Sequence, residues 1–346
     1  MARRHKEGRK QLPHELTSMK SILLVLCFLL FPRLVAAESY TVTDLGLLYP
    51  TAINNAGQIV GGDILWDHGK LTHLGTLVRT TAAAALNNRG QIVGTSGSGM
   101  ISAMTERNVH AFLWQSGKLT GLGSSNTVSQ YYATGINDGG QIIGTSYRHP
   151  LLWENGRKTY LPKLFKDPPY TQIFCGTGGI NSRGQSVGYC GTRGGDIHAV
   201  LWQSGNIFDL GGAGGHDAKA AAINNQGQAV GYAAMLNSVR HAYLWQEGKC
   251  LDLRMLPDDI DSEANAINNR AQVVGDSHNI GEGPIRHAYL SRAFLWQGGK
   301  MLSLTALLPP HSAWHLDSAR GINDLGQIIG YGTYKGKPHG FLLTPK

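Results

Sequence analysis

Charge, cysteine and long apolar runs are all scarce in this chain of 346 residues. Only 16% of the residues are Asp, Glu, Lys or Arg while 42% are apolar, which excludes the charged, weakly apolar composition of a disordered chain. None of the four cysteines stands in a C-x-x-C spacing, so the usual structural zinc sites are excluded. No phosphate-binding Gly-rich loop occurs, which removes a common sign of a nucleotide enzyme. The one pronounced apolar run, Ser21–Phe31, has 11 residues, about half of what a membrane-spanning helix needs. Glycine, by contrast, is plentiful at 46 residues, as expected of many short strands joined by tight turns.

The apolar run follows basic residues and precedes Leu34-Val35-Ala36-Ala37, where Val35 and Ala37 suit signal-peptidase cleavage. Residues 1–37 therefore read as a signal peptide, with Met19 as an alternative start because the preceding basic stretch is long for an n-region. Leu26 stands before Cys27 where a lipoprotein needs a small residue. The expectation is a secreted protein, periplasmic or extracellular, with no permanent membrane span. Without the leader, 24 basic residues face 21 acidic ones, a net charge of +3. The isoelectric point near 9.3 thus belongs mostly to the leader, and no nucleic-acid partner is implied.

One phrase recurs seven times, from Ile53-Asn-Asn-Ala-Gly-Gln-Ile-Val-Gly61 to versions ending at Gly94, Gly144, Gly188, Gly231, Gly275 and Gly330. Its Asn-x-x-Gly-Gln core suits a type I turn followed by a left-handed glycine, so the phrase reads as a hairpin. Only the copy with Ala271 lacks that glycine. A second phrase follows each copy, as in His110-Ala-Phe-Leu-Trp114-Gln-Ser-Gly-Lys118, and reads as a strand turning at Gly. A third, such as Asp209-Leu210-Gly211, is the next strand.

Seven copies of the first two phrases are followed by only six of the third, and the missing one stands at the N-terminus as Tyr40-Thr-Val-Thr-Asp-Leu-Gly46. The spacing therefore predicts an all-β, seven-bladed β-propeller of four-stranded blades over residues 38–346, a single domain in which residues 40–48 complete the last blade. Closure of the ring removes the edges that an open stack would have to cap. The alternative, a β-solenoid, needs shorter and more regular coils than the observed spacings of 33 to 55 residues.

The His-Ala-Phe phrase, with variants at His198, His241 and His287, resembles the extracellular HAF-repeat family over essentially all of residues 40–344. That resemblance implies export and a repeat fold, and it implies no common reaction.

Residues that recur from blade to blade are most simply part of the blade. His110, Phe112 and Trp114 share one face of their strand while Ala111 and Leu113 share the other, so both faces are buried between blades. The repeated histidines (His110, His149, His198, His241, His339) are expected to be hydrogen-bonded inside their blades, with the repeated Asn as a partner. Six of the seven tryptophans are repeat positions, and Trp314, after Pro309-Pro310, is the exception.

With strands labelled A to D in chain order, the A-B and C-D turns are nearly constant and lie at one end of the ring. The B-C and D-A connections vary and lie at the other end, where scaffolds of this kind usually carry sites. Candidate ligand-binding residues on that face are Tyr131, Tyr132, Tyr170, Asp196, His216, Asp217, His311, Trp314 and His315. Aromatics with nearby acids suit sugar faces. Asp259, Asp261 and Glu263 form a candidate oxygen-ligand set for Ca²⁺, although the Gly and the loop length of an EF-hand are missing. His311 and His315 with His216 or His278 would gather a metal if their loops met.

The thiols leave two alternatives. A two-residue turn at Ser182-Arg183 sets Cys175 opposite Cys190 for a disulfide, whereas the bulged turn that Asn-Ser-Arg-Gly favours sets Cys190 opposite Gly176. Either way an odd thiol is left over, because Cys250 is the third. The functional expectation is a non-catalytic binding or interaction module whose partner is a protein or glycan held by the variable face. A glycan hydrolase or lyase using Asp196, Asp217 or Asp261 is one alternative, with acid and base about 5–10 Å apart. A purely structural surface protein is the other.

Overall fold

A computed structural model describes residues 39–97, 109–123, 130–147, 149–165, 173–212, 215–235, 239–280 and 289–346. The leader assignment and Tyr170 lie outside these residues. The described chain forms seven four-stranded antiparallel sheets arranged as a seven-bladed β-propeller. Blades 1 to 6 occupy residues 52–73, 80–121, 131–160, 175–211, 218–254 and 261–303, each with strands in the order A-B-C-D. Blade 7 takes strands A to C from Trp314–Ile322, Ile328–Tyr334 and Lys337–Pro345, and its fourth strand is Tyr40–Asp44. Tyr40 pairs with Pro345 and Asp44 with Phe341, and the Tyr40 ring is wholly buried. The N-terminal strand thus closes the ring. Among the described residues no helix is long and apolar enough to cross a membrane.

The repeated Asn closes the ring a second time, from inside. Each Asn side chain donates through Nδ2 to the backbone carbonyl of the corresponding Asn in the next blade: Asn54 to Asn87, then Asn137, Asn181, Asn224, Asn268, Asn323 and back to Asn54, at 2.9–3.1 Å. Its second N–H goes to the Gln four residues on, for example Asn224 to Gln228 Oε1 at 2.6 Å. Oδ1 of Asn224 accepts the N–H groups of Gln226 and Gln228. A primary amide has two donors and two acceptor sites, and here all four are filled. The expected His–Asn contact is therefore replaced. The Asn serves the ring, and Nδ1 of His198, His241 and His339 donates instead to Asp209, Asp252 and Asp44 on strand D, at 2.8–2.9 Å.

The glycine that ends each hairpin phrase has a steric cause. A Cβ on Gly94, Gly188, Gly231 or Gly275 would lie 1.9–2.1 Å from a strand A carbonyl oxygen. That carbonyl sits beside a bulge in strand A, where two residues oppose one, as between Ala220 and Ala222. The same bulge decides the cysteines. The turn at Asn181-Gln185 does shift the register by one residue, with Gly184 left-handed. The second bulge, between Thr177 and Ile180, shifts it back. Cys175 then stands opposite Cys190, and the two are disulfide-bonded.

Apolar clusters fill the seams between neighbouring blades. One joins Val187 and Ala199 of blade 4 to Ala218, Ala220, Tyr243 and Trp245 of blade 5. Trp314 belongs to such a seam and is not the exposed shelf expected of a loop residue. It opens strand A of blade 7, is 6% exposed, and stacks on Tyr334 at 4.9 Å with Phe341 edge-on. Strand A of blade 7 is nine residues long and doubly bulged, so pairing begins where a connection was expected.

Candidate binding site

The variable face places the expected residues in three ways. Some are scaffold: Tyr131 is 8% exposed, meets the edge of Trp153, and accepts a hydrogen bond on its hydroxyl from Lys158 at 2.8 Å. Tyr132 is half-buried in the same strand. Others are brought together: Asp196 accepts from His216 Nδ1 at 3.0 Å, and Asp217 Oδ1 accepts the N–H of Ile197 at 3.0 Å. These pairs hold the B-C loop of blade 4 against the start of blade 5, and two of the three carboxylates put forward as catalytic acids are engaged in them. His311 stands apart on an exposed left-handed turn, and His315 pairs with Asp317 at 3.0 Å.

The acidic set does not form an ion cage. The Asp259 carboxylate is fully buried against Arg292, which also donates to the Pro257 carbonyl. Asp261 accepts from His278 at 2.6 Å and lies 3.7 Å from Arg240, as does Glu263. Cations thus take the place a Ca²⁺ would have. Among the described residues no three His, Cys, Asp or Glu side chains are placed to share a metal: His216, His278 and His315 are each turned toward a carboxylate of their own, and His311 stands apart.

A different constellation lines the ring on the variable side of blades 4 to 7. In strand B the residue after the repeat glycine is Gly62, Thr95, Thr145, Tyr189, Tyr232, Asp276 and Tyr331 in chain order. The first three blades carry small residues there and the last four carry Tyr or Asp. A cation covers each of these tyrosines. Lys219 Nζ is 4.6 Å from the Tyr189 ring centre, the Arg240 guanidinium 5.2 Å from that of Tyr232, and the Arg320 guanidinium 5.3 Å from that of Tyr331. Arg320 also donates to the Tyr331 hydroxyl at 2.8 Å. Opposite Tyr189 stands Gly176, where a Cβ would strike the ring.

Carboxylates alternate with these cations. Glu263 and Asp276 are directly paired across strands A and B of blade 6, Arg240 lies 3.7 Å from Glu263, and Arg320 lies 3.8 Å from Asp276. Such separations give Coulomb attraction but exceed hydrogen-bond length. Burial holds the Glu263 carboxyl above the ordinary carboxylate range against the pull of Arg240, and it raises the Tyr189 and Tyr232 hydroxyls. The hydrogen bond to Asp261 raises His278, against the opposing effect of burial. The loops were where sequence reasoning looked. The signal was inside strand B, at a position that changes around the ring from small residues to Tyr and Asp.

No family model matches the chain, and no curated protein matches it. Solved structures resemble it at low identity. The sialidase of Trypanosoma rangeli with the inhibitor DANA is 11% identical, with a TM-score of 0.40 over 88% of this chain and 59% of that one. The chain therefore spans about three fifths of that sialidase. A putative gluconolactonase is 11% identical with a TM-score of 0.40, over 88% of this chain and 98% of that one. The β-propeller domain of the Trilobed protease from Pyrococcus furiosus is 7% identical with a TM-score of 0.44, over 89% and 96%.

Proposed function

We propose that this chain is an exported HAF-repeat propeller that binds a saccharide, without turning it over, through the variable side of blades 4 to 7. The observation that carries the reading is the spacing of Arg240 from Glu263 and of Arg320 from Asp276 at 3.7–3.8 Å, next to three tyrosine rings. Donors and acceptors held close but not hydrogen-bonded to one another have capacity left for the hydroxyl groups of a ligand. Tyrosine rings supply a flat apolar face for the C–H side of a sugar. The resemblance carried by the His-Ala-Phe-Leu-Trp phrases and the apolar run before Ala37 support export.

The test is a glycan array on the purified protein, followed by titration of the best ligand. Binding that falls by more than roughly tenfold in Tyr189→Ala supports the site. A blank array, or a ligand whose affinity ignores that substitution, refutes it. Release of a shortened or unsaturated sugar from the bound glycan would instead assign the hydrolase or lyase alternative.

A further inference from the structure

The charges of the variable side are not evenly presented to solvent. The Arg240 side chain is 44% exposed, against 34% for Glu263 and 15% for Asp261, and Arg320 is 39% exposed against 9% for Asp276. The carboxylates therefore anchor the two guanidiniums from the buried side, and the accessible part of the cluster is cationic. Asp261 is also bonded to His278 at 2.6 Å, and Asp217 Oδ1 accepts the Ile197 N–H.

Two features of strand A put cations there. A bulge re-aims its extra residue out of the regular alternation. At the matching bulge that residue is Ala84, Thr134, Ala221 and Asn265 in blades 2, 3, 5 and 6, but Arg320 in blade 7. Ahead of the bulge, the pair across strands A and B is Ala82–Thr95, Tyr132–Thr145 and Gly176–Tyr189 in blades 2 to 4, then Lys219–Tyr232 in blade 5. Lys219 reaches over the seam to the Tyr189 ring of blade 4 and makes no ion pair among the described residues. An ammonium group resting on an aromatic face keeps its N–H donors for a further acceptor. Lys219, Arg240 and Arg320 all pull on the Glu263 carboxyl, so the three cations gather in one region.

On the saccharide reading of this site, on which the step rests, we infer that the ligand is an acidic saccharide whose carboxylate or sulfate groups are held by Lys219 with the exposed guanidiniums of Arg240 and Arg320. A neutral sugar would cover Lys219 without giving its charge a counter-ion, which a partly buried ammonium needs. An anionic group supplies one. The guanidinium fork matches a carboxylate or a sulfate through paired N–H donors, and the ammonium serves either as a point charge. Tyr189, Tyr232 and Tyr331 are left to take the C–H face of the ring.

The probes are octasaccharides of polygalacturonate, alginate, hyaluronan and chondroitin sulfate, each titrated by calorimetry beside its carboxyl-reduced form and, for chondroitin sulfate, its desulfated form. The expected result is binding of at least one acid, weakened more than roughly tenfold when the group that is read has been neutralised. Whether carboxyl reduction or desulfation causes the loss names that group. Affinity should also fall as sodium chloride rises from about 0.05 to 0.3 M. Lys219→Gln should lower it by roughly fivefold and Lys219→Arg restore most of it, with the residual affinity of the neutral form unmoved by either. Neutralised forms that bind as tightly as their parents overturn the proposal, as does a protein that binds none of the acids. In both cases a neutral glycan whose binding is lost in Tyr189→Ala leaves the saccharide site standing, and a protein that binds no glycan at all removes both. Equal loss of acidic and neutral affinity in Lys219→Gln overturns the part given to Lys219. The comparison of parent and neutralised probes uses the unaltered protein and stands even if a variant fails to fold.

Discussion

The two ends of the ring are built from the same strands and differ in how their polar groups are spent. At the constant end, each repeated Asn but Asn137 has all four hydrogen-bonding positions filled, and six of the seven Gln side chains that follow donate onward to the last residue of strand C. The adjacent Asn, Asp and Ser positions are joined by six further backbone-to-side-chain bonds, interrupted between Asp138 and Ser182, around a mouth of about 240 Å³. At the variable end, Arg240 and Arg320 stand near carboxylates without hydrogen-bonding them. A saturated network specifies a structure and offers a ligand little, whereas an unsaturated one offers a ligand its remaining bonds.

That contrast can be broken at the constant end first. Asn224→Asp replaces two buried donors by a carboxylate facing Gln228 Oε1 and the Asn268 carbonyl. A loss of about 3 kcal/mol is expected, read as a lower urea midpoint at unchanged slope. A change under about 1 kcal/mol would mean that the Asn ring is not a structural closure.

Ala271→Gly sharpens the comparison in the opposite direction. Ala271 occupies the turn position at φ 57° that the other six copies give to glycine. Relief of a left-handed non-glycine residue should stabilise by about 1 kcal/mol, seen as a higher melting temperature. Saccharide affinity should not change, since the turn lies at the other end.

The smallest effect is expected at His278, whose pKa is raised by its bond to Asp261, with Asp276 assisting and burial and Arg240 opposing. A histidine whose folded-state pKa exceeds its unfolded one contributes most below the unfolded value near 6.5 and loses that contribution as pH rises through the folded value. His278→Gln should therefore cost stability at about pH 5.5 and cost less at about pH 9. Equal losses at both values would show that the pair acts through packing alone.

The architecture was legible in the sequence because a propeller states its plan seven times. Phrase spacing gave the blades, and one unmatched strand, Tyr40–Asp44, gave the closure. The Asn ring was not legible, since its bonds join residues 33 to 55 positions apart, and 269 apart where the ring closes, and the turn signature accounts only for the bonds within one hairpin. The pairing of Cys175 with Cys190 was undecided for a related reason. The turn predicts one bulge, and the compensating bulge in strand A follows from a carbonyl packed on Gly188. Trp314 was misplaced because Pro309-Pro310 reads as a connection, whereas an overlong strand begins four residues later. The candidate site was half legible. Glu263 was singled out for the wrong partner, and the tyrosines after the repeat glycines lie inside strand B, away from the loops where variation was sought.

The separation of a saturated scaffold from an open site is tested most directly by titrating the best glycan-array ligand into Arg240→Gln/Arg320→Gln, with its thermal melt recorded alongside. The expected result is an affinity loss of more than roughly tenfold, from charged hydrogen bonds no longer made, with a melting temperature within a few degrees of the parent. Undiminished affinity in a folded double variant would contradict it.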